Sequence, residues 1–72
     1  MNDEILIASY RNLVIRFGSS AEDILEDPEL RGLFLGEVRQ TIGDLPERQI
    51  LHRLSYLRKK SRLPRSRDIL AH

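Results

Sequence analysis

"GDLPERQILHRLSYLRKKSR", residues 43–62, is the stretch that decides the fold. Pro46 suits the first turn of a helix, because its φ is already helical and no amide donor is needed there. Apolar residues then recur at helical spacing and form one seam: Ile50, Leu51, Leu54 and Leu57. Pro64 disfavours helical geometry at Leu63, so the pattern predicts a helix over 46–62.

The segment richest in apolar residues comes first, as NDEILIASYRNLVIRFG, residues 2–18. Asn2 or Asp3 can cap a helix, and Gly18 can supply the left-handed turn that ends it. A hairpin with strands at 5–7 and 13–17 is the alternative, since β-branched residues are frequent here. The connection between those strands lacks the glycine that a tight hairpin prefers, so a helix over 3–17 is favoured. Its core stripe is Leu6, Tyr10, Leu13 and Phe17.

The segment between these two helices carries two overlapping helix starts. Ser19 and Glu22 have the spacing of a capping box, which predicts a short helical turn near 20–26. Asp27 followed by Pro28 predicts a second start, with a helix over 28–42. One face of that helix is apolar: Leu30, Leu33, Phe34, Val38 and Ile42. The chain is therefore expected to be an all-α bundle of three principal helices, with one domain at 1–63 and a basic C-terminal tail at 64–72. Residues 64–72 can alternatively return to the core through Ile69 and Leu70.

Composition excludes several classes of protein. The chain has 72 residues and no cysteine, so a disulfide framework or a thiolate zinc site cannot form. No apolar run reaches membrane-spanning length and no basic leader precedes one, so a cytoplasmic protein without a membrane partner is expected. No phosphate loop, nucleophile motif or metal-ligand spacing is present. We therefore predict no catalytic residue, metal, cofactor or small-molecule substrate.

The net charge of +1 conceals a division between the two halves of the chain. Residues 1–44 hold nine acids and four arginines, for a net charge of −5. Residues 45–72 hold eight basic residues and two acids, for a net charge of +6. Such asymmetry indicates either a polyanionic partner or attraction between the halves, within one chain or between two.

The polar side of the helix at 46–62 carries no acid. It combines cations that reach phosphates with side chains that bond to or stack on bases. The predicted nucleic-acid contacts are Arg48, Gln49, His52, Arg53, Tyr56, Lys59 and Lys60. Three further arginines are predicted to attract the sugar-phosphate backbone of the nucleic acid: Arg62, Arg65 and Arg67. A helix ending at Gly43, a short turn and a basic amphipathic helix are the layout of a helix-turn-helix. The sequence thus favours a small non-enzymatic nucleic-acid-binding regulator, while a merely solvated basic face stays open.

A second hypothesis depends on the first helix, which has more apolar residues than one core stripe requires. The surplus is chiefly Ile7, Val14 and Ile15, which predicts a patch covered by a second chain. A homodimer is the simplest cover, and it is compatible with nucleic-acid binding. The alternative function is a protein-interaction or adaptor module with no nucleic-acid role. The first helix can also lie centrally, with the later segments covering the surplus.

Overall fold

A computed structural model describes residues 2–71, so positions 1 and 72 of the predicted ranges lie outside it. The described chain is all-α, as predicted, with five helices: α1 Asp3–Phe17, α2 Ala21–Glu26, α3 Pro28–Ile42, α4 Glu47–Lys59 and α5 Ser66–Leu70. The three principal helices are confirmed, and the short turn near 20–26 is α2.

Helix α1 begins and ends as its sequence predicts, and the hairpin alternative is wrong. The Asn2 side chain accepts a hydrogen bond from the Glu4 amide at 2.9 Å. Gly18 ends the helix at φ 66°, a conformation that costs glycine no steric strain. Leu6, Tyr10 and Leu13 of the predicted stripe are buried, but the Phe17 side chain is 47% exposed at the helix end.

Helices α2 and α3 begin at side-chain caps. The predicted capping box lies one residue later than expected, because Ser20 and Asp23 exchange hydrogen bonds of 3.0 and 3.2 Å. Ser19 is buried instead. The start at Asp27 is confirmed, since its carboxylate accepts a hydrogen bond from the Glu29 amide at 2.9 Å.

Helix α4 is shorter than predicted and ends at Lys59 rather than Arg62. Ser61 takes a left-handed conformation with φ 56°. The Arg62 amide then turns back and donates to the Leu57 carbonyl at 2.9 Å. This turn satisfies carbonyls that a helix end would leave without partners, so α4 stops before Pro64 can influence it.

Residues 64–71 form a return segment and not a free tail. The Tyr10 hydroxyl donates a 2.8 Å hydrogen bond to the Pro64 carbonyl. Ile69 of α5 is buried in the same core as Leu6 and Leu13 of α1. The boundary predicted after residue 63 therefore separates no independent unit among the described residues.

The core is built from side chains of all five helices. Its fully buried members are Leu6, Leu13, Val14, Ile24, Phe34, Val38, Ile50, Leu54 and Leu57. The expectation that Val14 is exposed is therefore wrong, because Val14 belongs to this set. Ile7 is partly buried against the core, and only Ile15 of the predicted interface residues is exposed, at 61%. Later segments thus cover most of the apolar surplus of α1.

Candidate nucleic-acid interface

Helix α4 turns its apolar seam inward and presents polar residues to solvent. Ile50, Leu54 and Leu57 have no exposed surface, which fixes the rotation of the helix about its axis. The residues on the opposite side are all exposed, and we call them the outer face: Arg48, Gln49, His52, Tyr56, Lys59 and Lys60. Six of the ten predicted contact residues therefore share one surface.

Arg53 lies at the edge of the outer face and is held by an acid from another helix. Its Nε and Nη2 donate to the two carboxylate oxygens of Asp3 at 2.8 and 2.7 Å. These hydrogen bonds hold the pKa of the Asp3 carboxyl below its ordinary value and raise the pKa of Arg53. Two of the donors that could reach a phosphate or a base edge are thus already in use.

Two cationic side chains lie close to the Tyr56 ring. The guanidinium carbon of Arg53 lies 4.6 Å from the centre of the Tyr56 ring. The Lys60 ammonium lies 5.9 Å from the same centre. Both distances are within the range of cation–π attraction. Tyr56 remains 39% exposed, so part of its side chain is open to a partner.

Arg58 occupies the other flank of α4 and hydrogen-bonds to Glu22 of α2. This pair and the Asp3–Arg53 pair each join the acidic half of the sequence to the basic half. The pattern of α4 could not reveal either acid, because both lie far from this helix along the chain. The division of charge between the halves was the one signal of these pairs, because attraction within the chain is one explanation of that division.

The cations beyond α4 are arranged differently from those of the outer face. Arg62, Arg65 and Arg67 are exposed. Arg65 lines an open cleft of about 670 Å³ between α2 and α5, whose lining also includes Glu22 and Asp68. Two acids therefore accompany Arg65 in this cleft.

The order of elements matches the expected helix-turn-helix layout, but the packing differs. Residues 43–46 connect α3 to α4, so the turn is short. In a helix-turn-helix the second helix lies in the major groove while the first crosses the DNA backbone. Here the backbone of α4 lies mainly against α2, while α3 lies against α1 and α2.

Some apolar side chains outside α4 are exposed without having been predicted so. Leu33 is 42% exposed although its spacing puts it on the apolar face of α3. Phe17 is covered on one side by Arg16, whose guanidinium carbon lies 5.1 Å from the ring centre. Arg16 also approaches Glu37 of α3 at 3.9 Å. Helical spacing alone could not show that the core does not reach these two apolar positions.

No group of His, Asp and Glu side chains among residues 2–71 is arranged to hold a metal ion. None of the helices described is both long and apolar enough to cross a membrane. No protein-family model, curated protein or solved structure matches this chain.

Proposed function

We propose that this protein is a small, non-enzymatic nucleic-acid-binding protein that uses the outer face of α4. The supporting observation is that Arg48, Lys59 and Lys60 are exposed on one face and form no ion pair among residues 2–71. Cations that are not neutralised within the chain remain available to phosphates, whose contacts supply most non-specific affinity. Gln49 and His52 add hydrogen-bonding groups on the same surface.

The structure changes which side chains test this proposal best. Replacing Arg53 would also break its pair with Asp3, so a loss of binding would be ambiguous. Arg48 and Lys59 are exposed and form no ion pair among residues 2–71, so Arg48→Glu with Lys59→Glu changes the charge of the face without removing an observed contact. Arg11→Glu on α1 is a control for a single reversal, since Arg11 is also exposed.

The experiment is a salt titration of binding to labelled oligonucleotides, followed by fluorescence anisotropy. Phosphate contact predicts a linear fall of log affinity with log salt, with a slope of about −0.9 for each phosphate neutralised on duplex DNA and about −0.7 on single strands. The double reversal should remove measurable binding. Arg48→Glu alone should lower the affinity, whereas Arg11→Glu alone should leave most of it unchanged. Absence of binding by the unaltered protein at low salt would contradict the proposal.

A protein-binding or homodimeric function is the second candidate, favoured by the exposed apolar side chains. Phe17 and Leu33 are 47% and 42% exposed on neighbouring helices. They replace Val14 as the residues to test. Sedimentation at several concentrations measures self-association, and a dimer that uses either side chain should be abolished by Phe17→Ser or by Leu33→Ser. Self-association that survives both substitutions would place the interface elsewhere.

A further inference from the structure

The Tyr56 ring is positioned as a platform in the middle of the outer face. Arg53 stacks near it at 4.6 Å, and two hydrogen bonds to Asp3 fix the Arg53 guanidinium. Lys60 lies 5.9 Å from the ring centre, one helical turn further along. The close Arg53 contact orders the ring before any partner arrives, which lowers the entropy lost on binding, while the more distant Lys60 leaves the ring when a base stacks on it.

This arrangement suits the face of an unpaired base better than the edge of a base pair. In a duplex the faces of the bases are stacked on each other, and proteins reach mainly base edges and phosphates. Unpaired bases instead stack on exposed aromatic rings, while nearby cations attract the backbone. Arg53 also directs two donors at Asp3, so it is poorly placed to form the bidentate contact that reads guanine in the major groove.

We infer that the outer face binds single-stranded nucleic acid, with an unpaired base stacked on Tyr56. This inference rests on the proposed nucleic-acid binding and specifies its substrate class. Arg48, Lys59 and Lys60 contact the phosphates on either side of the stacked base. Arg53 is a positioning residue that holds the ring.

The intrinsic fluorescence of the protein gives a direct test. The chain has two tyrosines and no tryptophan, and Tyr10 is buried. Titration with an oligothymidylate of about 16 nucleotides, the upper end of common binding-site sizes, should therefore quench the emission of Tyr56 by stacking. A duplex of the same length should bind without comparable quenching.

Variants at Tyr56 separate stacking from other roles of the side chain. Tyr56→Phe keeps the ring and should keep single-strand affinity, measured by anisotropy. Tyr56→Leu keeps apolar bulk without a π face and should weaken that affinity about 5- to 150-fold, the effect of losing one stacked base. Duplex affinity should not change with either variant, and circular dichroism checks that α4 remains helical.

The outcomes distinguish this inference from the function on which it rests. Equal affinity for both oligonucleotides, with unchanged tyrosine emission, would overturn the stacking platform and leave nucleic-acid binding intact. Equal losses for Tyr56→Phe and Tyr56→Leu would also overturn it, because the ring would then not be the contact. Failure of both oligonucleotides to bind at low salt would overturn the proposed function itself.

Discussion

The flanks of α4 and its outer face carry the same kinds of cation in different states. On the flanks, Arg53 and Arg58 are hydrogen-bonded to Asp3 and Glu22. On the outer face, Arg48 and Lys59 have no such partner among residues 2–71. The flank cations join the two halves of the chain, whereas the outer cations leave their charge for a partner. A count of basic residues therefore overstates the charge that is available.

The largest expected effect is a loss of stability from a substitution in the buried seam of α4. Leu54 is fully buried, so Leu54→Ala leaves a cavity and should lower the free energy of unfolding by about 2–5 kcal/mol. Lys59→Ala on the outer face is the matched control and should change it by less than about 0.5 kcal/mol. Urea denaturation followed by circular dichroism measures both. A cost below about 1 kcal/mol for Leu54→Ala would mean that this seam does not anchor α4.

The helices were predictable because their signals are local. Asn2, Asp27 and Pro28 act within one turn of the helix starts that they mark, and the α4 seam repeats within a single helix. The turn at Ser61 was not predictable in this way, because serine rarely takes a left-handed conformation. Pro64, the nearest visible stop signal, lies beyond the observed end of α4.

The candidate site was predictable as a helix face but not as a set of contacts. Periodicity shows that Arg48, His52 and Tyr56 point away from the seam. It cannot show that Asp3, fifty residues away from Arg53, lies at the edge of that face. Nor could it place Val14 in the core and leave Leu33 exposed, since both facts depend on how α1 and α3 pack.

The second effect concerns the anchor of the C-terminal segment. Tyr10→Phe removes the hydroxyl that donates to the Pro64 carbonyl, and one such hydrogen bond contributes about 1 kcal/mol. Burial raises the pKa of Tyr10, so the hydroxyl remains a donor at neutral pH. Amide hydrogen exchange should become faster in α5 while the middle of α4 keeps its protection. Unchanged exchange in α5 would show that Ile69 alone holds this segment.

The smallest expected effect on stability comes from removing the acid that pairs with Arg53. Asp3→Asn removes the charge that pairs with Arg53, and because the pair is partly exposed to solvent the loss of stability should be slight. The pKa of Asp3 is lower in the folded protein than its ordinary value of 3.8. Folding is therefore favoured by this group above that ordinary pKa, and the contribution is lost as the pH falls through the folded pKa. Urea denaturation should show the difference from the unaltered protein at neutral pH and its disappearance in acid. Glu4→Gln in the same helical turn is the control.

The same Asp3→Asn variant tests the role of Arg53 in nucleic-acid binding, and an Arg53 that holds the Tyr56 ring predicts a lower single-strand affinity. The substitution removes an acid from the edge of the outer face and releases the guanidinium of Arg53 toward solvent. If Arg53 instead meets a phosphate, affinity for oligonucleotides should rise and the salt slope should steepen by about 0.9 on duplex DNA or 0.7 on single strands. Reduced affinity with an unchanged slope would mean that a fixed Arg53, supporting the Tyr56 ring, matters more than an additional available cation. The change in affinity thus shows whether the Asp3–Arg53 pair weakens or strengthens nucleic-acid binding.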